Sequence, residues 1–235
     1  MKHPLLTNSE LEWSDVAANC RMNREREITG TNSYTADLKL NPLDFLMARV
    51  ETHSNVRWLD LCCGSGRALI QADQYFRAQQ QSIQIRGIDL VDLFQPVIDT
   101  TATLQLETAS LHDWTTILKY DLITCVHGLH YVGDKLQLIA EAASWLKADG
   151  TLIAHLDLHN LQSSSCNWSA REKREFLQRS HLEYNTLRHI LTCRGHQKLH
   201  FPCRYLGASD QAGPNFTGQP AVNSVYELLD DSGMK

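Results

Sequence analysis

The chain has 235 residues, of which 43% are hydrophobic and 21% charged, and a formal net charge of -5. These values are ordinary for a globular protein with one substantial core, and the acidic balance without any basic stripe argues against a nucleic-acid partner. No run approaches the roughly 18 consecutive apolar residues of a membrane span, and the opening MKHPLLTNSELEWSD holds no apolar stretch of the secretory kind.

In chain order, residues 1–52 show helical character at Asn8–Met22 and Pro42–Val50 and read as a cap. A short apolar run, Val56–Leu61, predicts the first strand, and Arg67–Gln79 a helix. Ile83–Asp89 alternates as a strand ending in an acid. A short helix is expected at Asp92–Asp99 and a weak strand at Leu104–Thr108. DLITCV at Asp121–Val126 is the clearest buried strand, followed by a turn at His127-Gly128. Asp134–Lys147 is an amphipathic helix that Asp149-Gly150 closes, and Thr151–Leu158 forms the next strand. Alternation of this kind predicts an α/β fold: a doubly wound, mostly parallel sheet with helices on both faces. After a charged helix at Ala170–Glu183, Leu187–Cys193 and Lys198–Leu206 read as strands joined by RGHQ, a loop that permits only an antiparallel hairpin. Residues 207–221 are rich in Gly, Pro and small polar residues and read as a long ordered loop. The expectation is a single domain over 1–235, with a cap at 1–52, a core at 53–206 and a C-terminal loop and tail at 207–235.

The seven cysteines are odd in number and form no C-x-x-C pair, which points to reduced thiols and a cytosolic protein. In that setting the sequons at Asn167 and Asn215 carry no meaning. Cys62 and Cys63 are neighbours; a vicinal disulfide or redox switch is one reading, small packing residues the preferred one.

The chemistry concentrates at strand ends. In an open parallel sheet, ligands bind outside the carboxyl ends of the strands, where strand order reverses. The first loop there reads C-C-G-S-G: Gly64 and Gly66 let a ligand approach the backbone, while Asp60 orders the loop or attracts a ligand ammonium. Asp89, with Leu90 beside it, ends the second strand about 20 residues downstream, where a carboxylate chelates ribose hydroxyls. Asp113 and Trp114 follow the third strand and are placed to take the amine and cover the ring of adenine. A dinucleotide loop would carry a third glycine where Leu69 stands, and Asp60 would repel a pyrophosphate.

On LDLCCGSG, Asp89, HDW at 112–114, DLITCVHGLHYV at 121–132 and LKADGTLIAHLD at 146–157, the chain resembles the class I, seven-strand S-adenosylmethionine-dependent methyltransferases. The resemblance spans about Val56 to Leu206. In that family the first loop runs D-x-G-x-G-x-G; Asp60 matches its acid, Gly64 and Gly66 its second and third glycines, and Cys62 stands at the first glycine's place. The resemblance implies that S-adenosylmethionine is the cofactor and that the activity is methyl transfer.

Methyl transfer is an in-line displacement, so the protein mainly aligns the acceptor, with a base where the acceptor holds a proton. His127 and His130, after the fourth strand, are the candidate catalytic residues, and His127 also borders the cofactor. Asp157, His159 and Asn160 on the neighbouring strand are expected nearby; they suit substrate hydrogen bonding better than a metal, and no metal is expected. His155 and His159 lie on a strand and turn, without zincin geometry, and read as structural. Tyr34 is expected to close over the cofactor's methionine end.

The acceptor is expected to be a small molecule or short peptide-like metabolite, methylated at O or N, with no nucleic-acid or membrane partner. No NPPY-like sequence follows the fourth strand, which disfavours amide and nucleobase N-methylation. Two alternatives stay open: an NAD(P)-linked oxidoreductase and a noncatalytic S-adenosylmethionine-binding module.

Overall fold

A computed structural model describes residues 4–17, 25–97 and 102–229. The first strand, β1 (Arg57–Leu61), alternates its side chains between two cores. Trp58 faces one, built on helices α2 (Tyr34–Leu38), α3 (Pro42–Val50) and α4 (Arg67–Ala78); Leu59 and Leu61 face the other. Strands β2 (Gln84–Asp89), β3 (Leu104–Thr108) and β4 (Tyr120–Cys125) run parallel to it, and β4 is buried along its whole length. Helix α5 (Lys135–Ser144) leads to β5 (Leu146–His155), and α6 (Ala170–Arg179) to β7 (Glu183–Asn185) and β8 (Ile190–Arg194). The order β3-β2-β1-β4-β5-β8-β7 reverses direction between β1 and β4, which sets the ligand crevice at the ends of those two strands.

A second sheet has the order β6-β10-β9, from β6 (Leu161–Ser163), β9 (Cys203–Ser209) and β10 (Asn223–Leu228). The N-terminal segment joins it through the Leu6–Ala208 bridge, and α1 (Asn8–Glu12) opens with a reciprocal capping box between Thr7 and Glu10.

Several expected boundaries move. Helix α5 ends at Ser144, because Leu146 already pairs with Tyr120; Asp149-Gly150 lies within β5 at a register shift and does not close the helix. The sheet does end in an antiparallel hairpin, but from β7 and β8. Helix α6 stops at Arg179, freeing Glu183–Asn185 as a strand, and Pro202 interrupts the segment expected to pair with β8. β9 leaves for the second sheet instead, and β10 occupies a tail read as loop and end. The first helix of the cap ends at Glu12; residues 18–22 of the expected span lie outside the described residues. Residues 92–97 are irregular where a helix was expected, and 98–99 also lie outside. Among the described residues no helix is long and apolar enough to cross a membrane.

Candidate functional site

The loop after β1 is built from left-handed residues. Cys62, Gly64 and Gly66 have φ values of 60°, 61° and 71°, a conformation that costs a side-chain-bearing residue about 1–2 kcal/mol. This is why a glycine belongs at position 62 and why a thiol there sits on a strained turn. Asp89 anchors the loop: one carboxylate oxygen accepts from the Gly64 amide at 2.8 Å, the other from the Val91 amide at 3.1 Å. The Asp89 carboxyl group is nearly buried and borders two adjoining cavities.

The larger cavity, about 250 Å³, is walled by Arg26, Tyr34, Gly64, His127 and Tyr131, with Thr217 and Gln219 at its rim. The smaller, about 70 Å³, is a mostly apolar slot between Leu90, Ala109, Leu111 and Val132, with His112 at its edge. Cys62, Asp89 and Tyr131 belong to both, so together they form one bent cleft at the β1–β4 switch point.

Three expected placements are corrected. Asp60 is fully buried beneath the cleft and does not line it: it accepts hydrogen bonds from the Tyr34 hydroxyl at 2.5 Å and from the Thr124 hydroxyl. Burial pushes its carboxyl up to about 7. Tyr34 therefore meets the cavity in its place, with its phenol proton committed to Asp60 and its oxygen left as an acceptor on the wall. Asp113 is exposed and lines neither cavity. Trp114 is buried in the core, edge-on to Trp145 at 5.3 Å with the Arg86 guanidinium 5.5 Å from its ring centre. The turn at Ser110–Trp114 thus turns His112, not the acid after it, toward the slot.

The histidines gather beyond the larger cavity. His127 follows β4 with φ 59°, and its Nε2 lies 3.5 Å from Asp37 Oδ2. Asp37 also accepts from Arg26 Nε at 2.7 Å. Burial would raise the Asp37 carboxyl, but the hydrogen bonds from His127 and Arg26 outweigh it and hold the group at about 2. The His127 ring stacks on that of His155, centroids 4.0 Å apart and planes within 5°. His130 does not line the cleft; it is 1% exposed, and burial, reinforced by the neighbouring His127 and Lys135, lowers its imidazole to about 2. His155, read from sequence as structural, joins this cluster, while His159 points outward with a side chain 87% exposed. Asp157 is spent on the turn, accepting from the His159 and Phe216 amides, and Asn160 donates to Asn223. Among the described residues no group of three or more His, Cys, Asp or Glu side chains is arranged to hold a metal ion. No disulfide joins Cys62 and Cys63.

Sequence reasoning missed Arg26, Asp37, His112 and Phe216. Arg26 and Asp37 come from a cap whose approach to the sheet end leaves no local signal. His112 differs from the expected acid by a single step around a turn.

Residues 31–199 match the family described as Methyltransferase domain, which is most of the chain. Comparison with curated proteins gives no match. Among solved structures, the chain is similar to the plantazolicin methyltransferase BpumL in complex with a monoazolic desmethylPZN analog and SAH: 14% identity, TM-score 0.38, with 48% of this chain and 43% of that one covered. It is similar to YJHP from E. coli at 19% identity and TM-score 0.35, covering 60% and 54%. A third is CalS10, an amino pentose methyltransferase from Micromonospora echinaspora, at 18% identity and TM-score 0.36, covering 48% and 47%. The matched part thus spans about half the length of each of these proteins.

Proposed function

This chain belongs to the class I S-adenosylmethionine-dependent methyltransferase family, and we propose that it methylates an oxygen or nitrogen atom of a small molecule or short peptide-like metabolite. The observation that carries this reading is the bent cleft with Asp89 at its elbow, shared by an apolar slot and a polar chamber. Asp89 is oriented by the Gly64 and Val91 amides, one at each carboxylate oxygen, at the strand-end position where a carboxylate takes ribose hydroxyls. The slot at Leu90, Ala109 and Leu111 suits adenine, with His112 at the ring's polar edge. Gly64 brings bare backbone to the amino-acid end, and the Tyr34 oxygen accepts from its ammonium. When bound, the cofactor supplies a methyl group made electrophilic by its sulfonium.

The chain's own part is to hold the acceptor and remove its proton. His127 borders the polar chamber, and its Nε2–H is committed to Asp37, so the free Nδ1 carries the lone pair that takes the proton. His130 is read as a wall of the acceptor site, since burial keeps it a weak base. The cap closes the cleft as a lid, within a single domain of a cytosolic protein whose described cysteines form no disulfide.

Isothermal calorimetry tests the reading with two nucleotides. S-adenosylhomocysteine should bind and NAD should not; the reverse preference would establish an oxidoreductase. Asp89→Ala should weaken S-adenosylhomocysteine by at least about 100-fold, as expected for two lost hydrogen bonds to a carboxylate, with circular dichroism confirming the fold. Unchanged affinity would remove the ribose assignment. Binding without transfer of label from S-adenosylmethionine to any component of a cell extract would leave only the noncatalytic module.

A further inference from the structure

The histidine cluster holds more polar capacity than the protein satisfies. His127 Nδ1, His155 Nδ1 and both ring nitrogens of His130 are buried without a hydrogen-bond partner. A buried polar group left unpaired costs about 1–3 kcal/mol, so four in one cluster call for a ligand. The proton positions follow from the partners. His127 spends Nε2–H on the Asp37 carboxylate, and His155 turns its other nitrogen to the Asp37 main-chain carbonyl. Both Nδ1 atoms are therefore lone pairs, and what they lack is a donor.

A flat ring already stands among these imidazoles. Phe216 stacks on His189 with centroids 4.1 Å apart and planes within 6°. It meets His130 edge-on at 5.3 Å and lies 5.8 Å from His127 and 6.2 Å from His155. Yet Phe216 is 39% exposed and brings no donor to the nitrogens around it. Its loop turns at Gly213 and Gly218, both left-handed and with open space where a Cβ would stand. Thr217 and Gln219 of the same loop wall the polar chamber, so movement of Phe216 opens the cluster directly onto the cleft. Just before it, Asn215 is buried with its amide nitrogen unpaired, a donor matched to an oxygen acceptor.

We infer that the methyl acceptor is an uncharged aromatic ring bearing a hydroxyl, which displaces Phe216 and lies against His189 with its O–H directed to the free nitrogens of His127 and His155. This rests on the methyltransferase reading above and names its substrate class. A hydroxyl is the donor those nitrogens lack. A protonated amine fits poorly: burial lowers the imidazoles of His130 and His155 to about 2 and about 3, so the place already rejects cations. In the reaction the phenolic oxygen forms the new C–O bond as the C–S bond to the sulfonium breaks. The sulfur keeps that electron pair, and the phenolic proton passes to His127.

The test is a saturation-transfer NMR titration of the full chain with saturating S-adenosylhomocysteine, using three probes. Catechol is planar with donors, 1,2-dimethoxybenzene planar without them, and cis-1,2-cyclohexanediol carries donors on a puckered ring. Catechol should bind and the other two should not. Phe216→Ala should tighten catechol by about tenfold, the worth of a displaced stacked pair, and Phe216→Trp, which refills the slot, should weaken it. Equal binding of either control probe, or affinities unmoved in both variants, would overturn the inference. Binding of S-adenosylhomocysteine is read from its own saturation-transfer signals in the same samples. If it binds while catechol does not, the acceptor class fails and the methyltransferase reading stands; if it does not bind, the methyltransferase reading falls and takes the acceptor role with it.

Discussion

Cys62 and Gly128 make a lock at the mouth of the cleft. A Cβ placed on Gly128 would meet the Cys62 Cβ at 2.3 Å and its Sγ at 2.6 Å, with the Cys125 Sγ at 2.9 Å. The thiol is held in a left-handed turn against the backbone that leaves β4, so the two strand ends at the switch point are packed through one cysteine. Burial beside the Cys125 thiol raises the Cys62 thiol well above the usual cysteine range, with the hydrogen bond to Cys125 the largest cause. A thiol raised in this way is poorly activated as a nucleophile. Gly128→Ala should cost about 2–3 kcal/mol in denaturant unfolding, the range for overpacking a close contact. Adding Cys62→Gly should return more than half of that loss, since it removes two of the three colliding atoms and the turn strain. Additive effects of the two changes would show that the clash is relieved elsewhere.

At the scale of elements, the middle of the sheet is tied by charge as well as by hydrogen-bond ladders. Asp121, fully buried at the start of β4, accepts from the Arg57 amide at 2.7 Å and pairs with Lys147 of β5 at 2.7 Å. One carboxylate thus fixes β1, β4 and β5 where the chain enters the sheet, opposite the cleft. Removing one partner of a buried pair leaves an uncompensated charge, so Lys147→Met should destabilise by about 3 kcal/mol. Coupling it with Asp121→Asn should recover most of the loss in urea titrations; a single-variant cost within experimental error would assign Lys147 to the solvent. The second sheet is tied in similarly. Buried Lys135, at the start of α5, donates to the Val132 and Val222 carbonyls, each at 2.8 Å, and to Ser224 Oγ at 3.0 Å. This clamps β10 to the loop after β4, and the Phe216 loop hangs from that clamp.

The whole molecule should respond to acid through the same buried groups. The imidazoles of His130 and His155 are lowered from 6.5 to about 2 and about 3, mainly by burial. Below pH 6.5 the unfolded chain takes up these protons and the folded one does not, so their contribution is full above 6.5 and is lost as pH falls toward 3. Asp60 acts in the opposite sense. Its carboxyl is raised from 3.8 to about 7, so the folded chain binds that proton first and gains stability as pH falls through the same window. His155→Phe should therefore reduce the acid loss of stability between pH 6.5 and 4.5 by roughly 2 kcal/mol, whereas Asp60→Asn should enlarge it by a similar amount. Urea midpoints of the three proteins at the two pH values decide it, and parallel pH profiles would mean these groups titrate alike in both states.

By itself the sequence determined the parallel core and the place of its crevice. β3 appears at Leu104–Thr108 and α3 at Pro42–Val50 as read, and Gly64, Asp89 and Leu90 line the cleft, because periodicity and strand-end position are local properties. Only the tertiary structure decided which side chains reach the ligand space. Asp60 is screened by Tyr34, a contact between residues 26 apart in sequence; Trp114 is drawn into the core by Trp145; and Asp37 comes from the cap to hold His127. The change of partner by β9 and the aromatic assembly around Phe216 are of the same kind. Each depends on which surfaces compete for burial once the chain is compact, and neither propensity nor spacing along the chain encodes that competition.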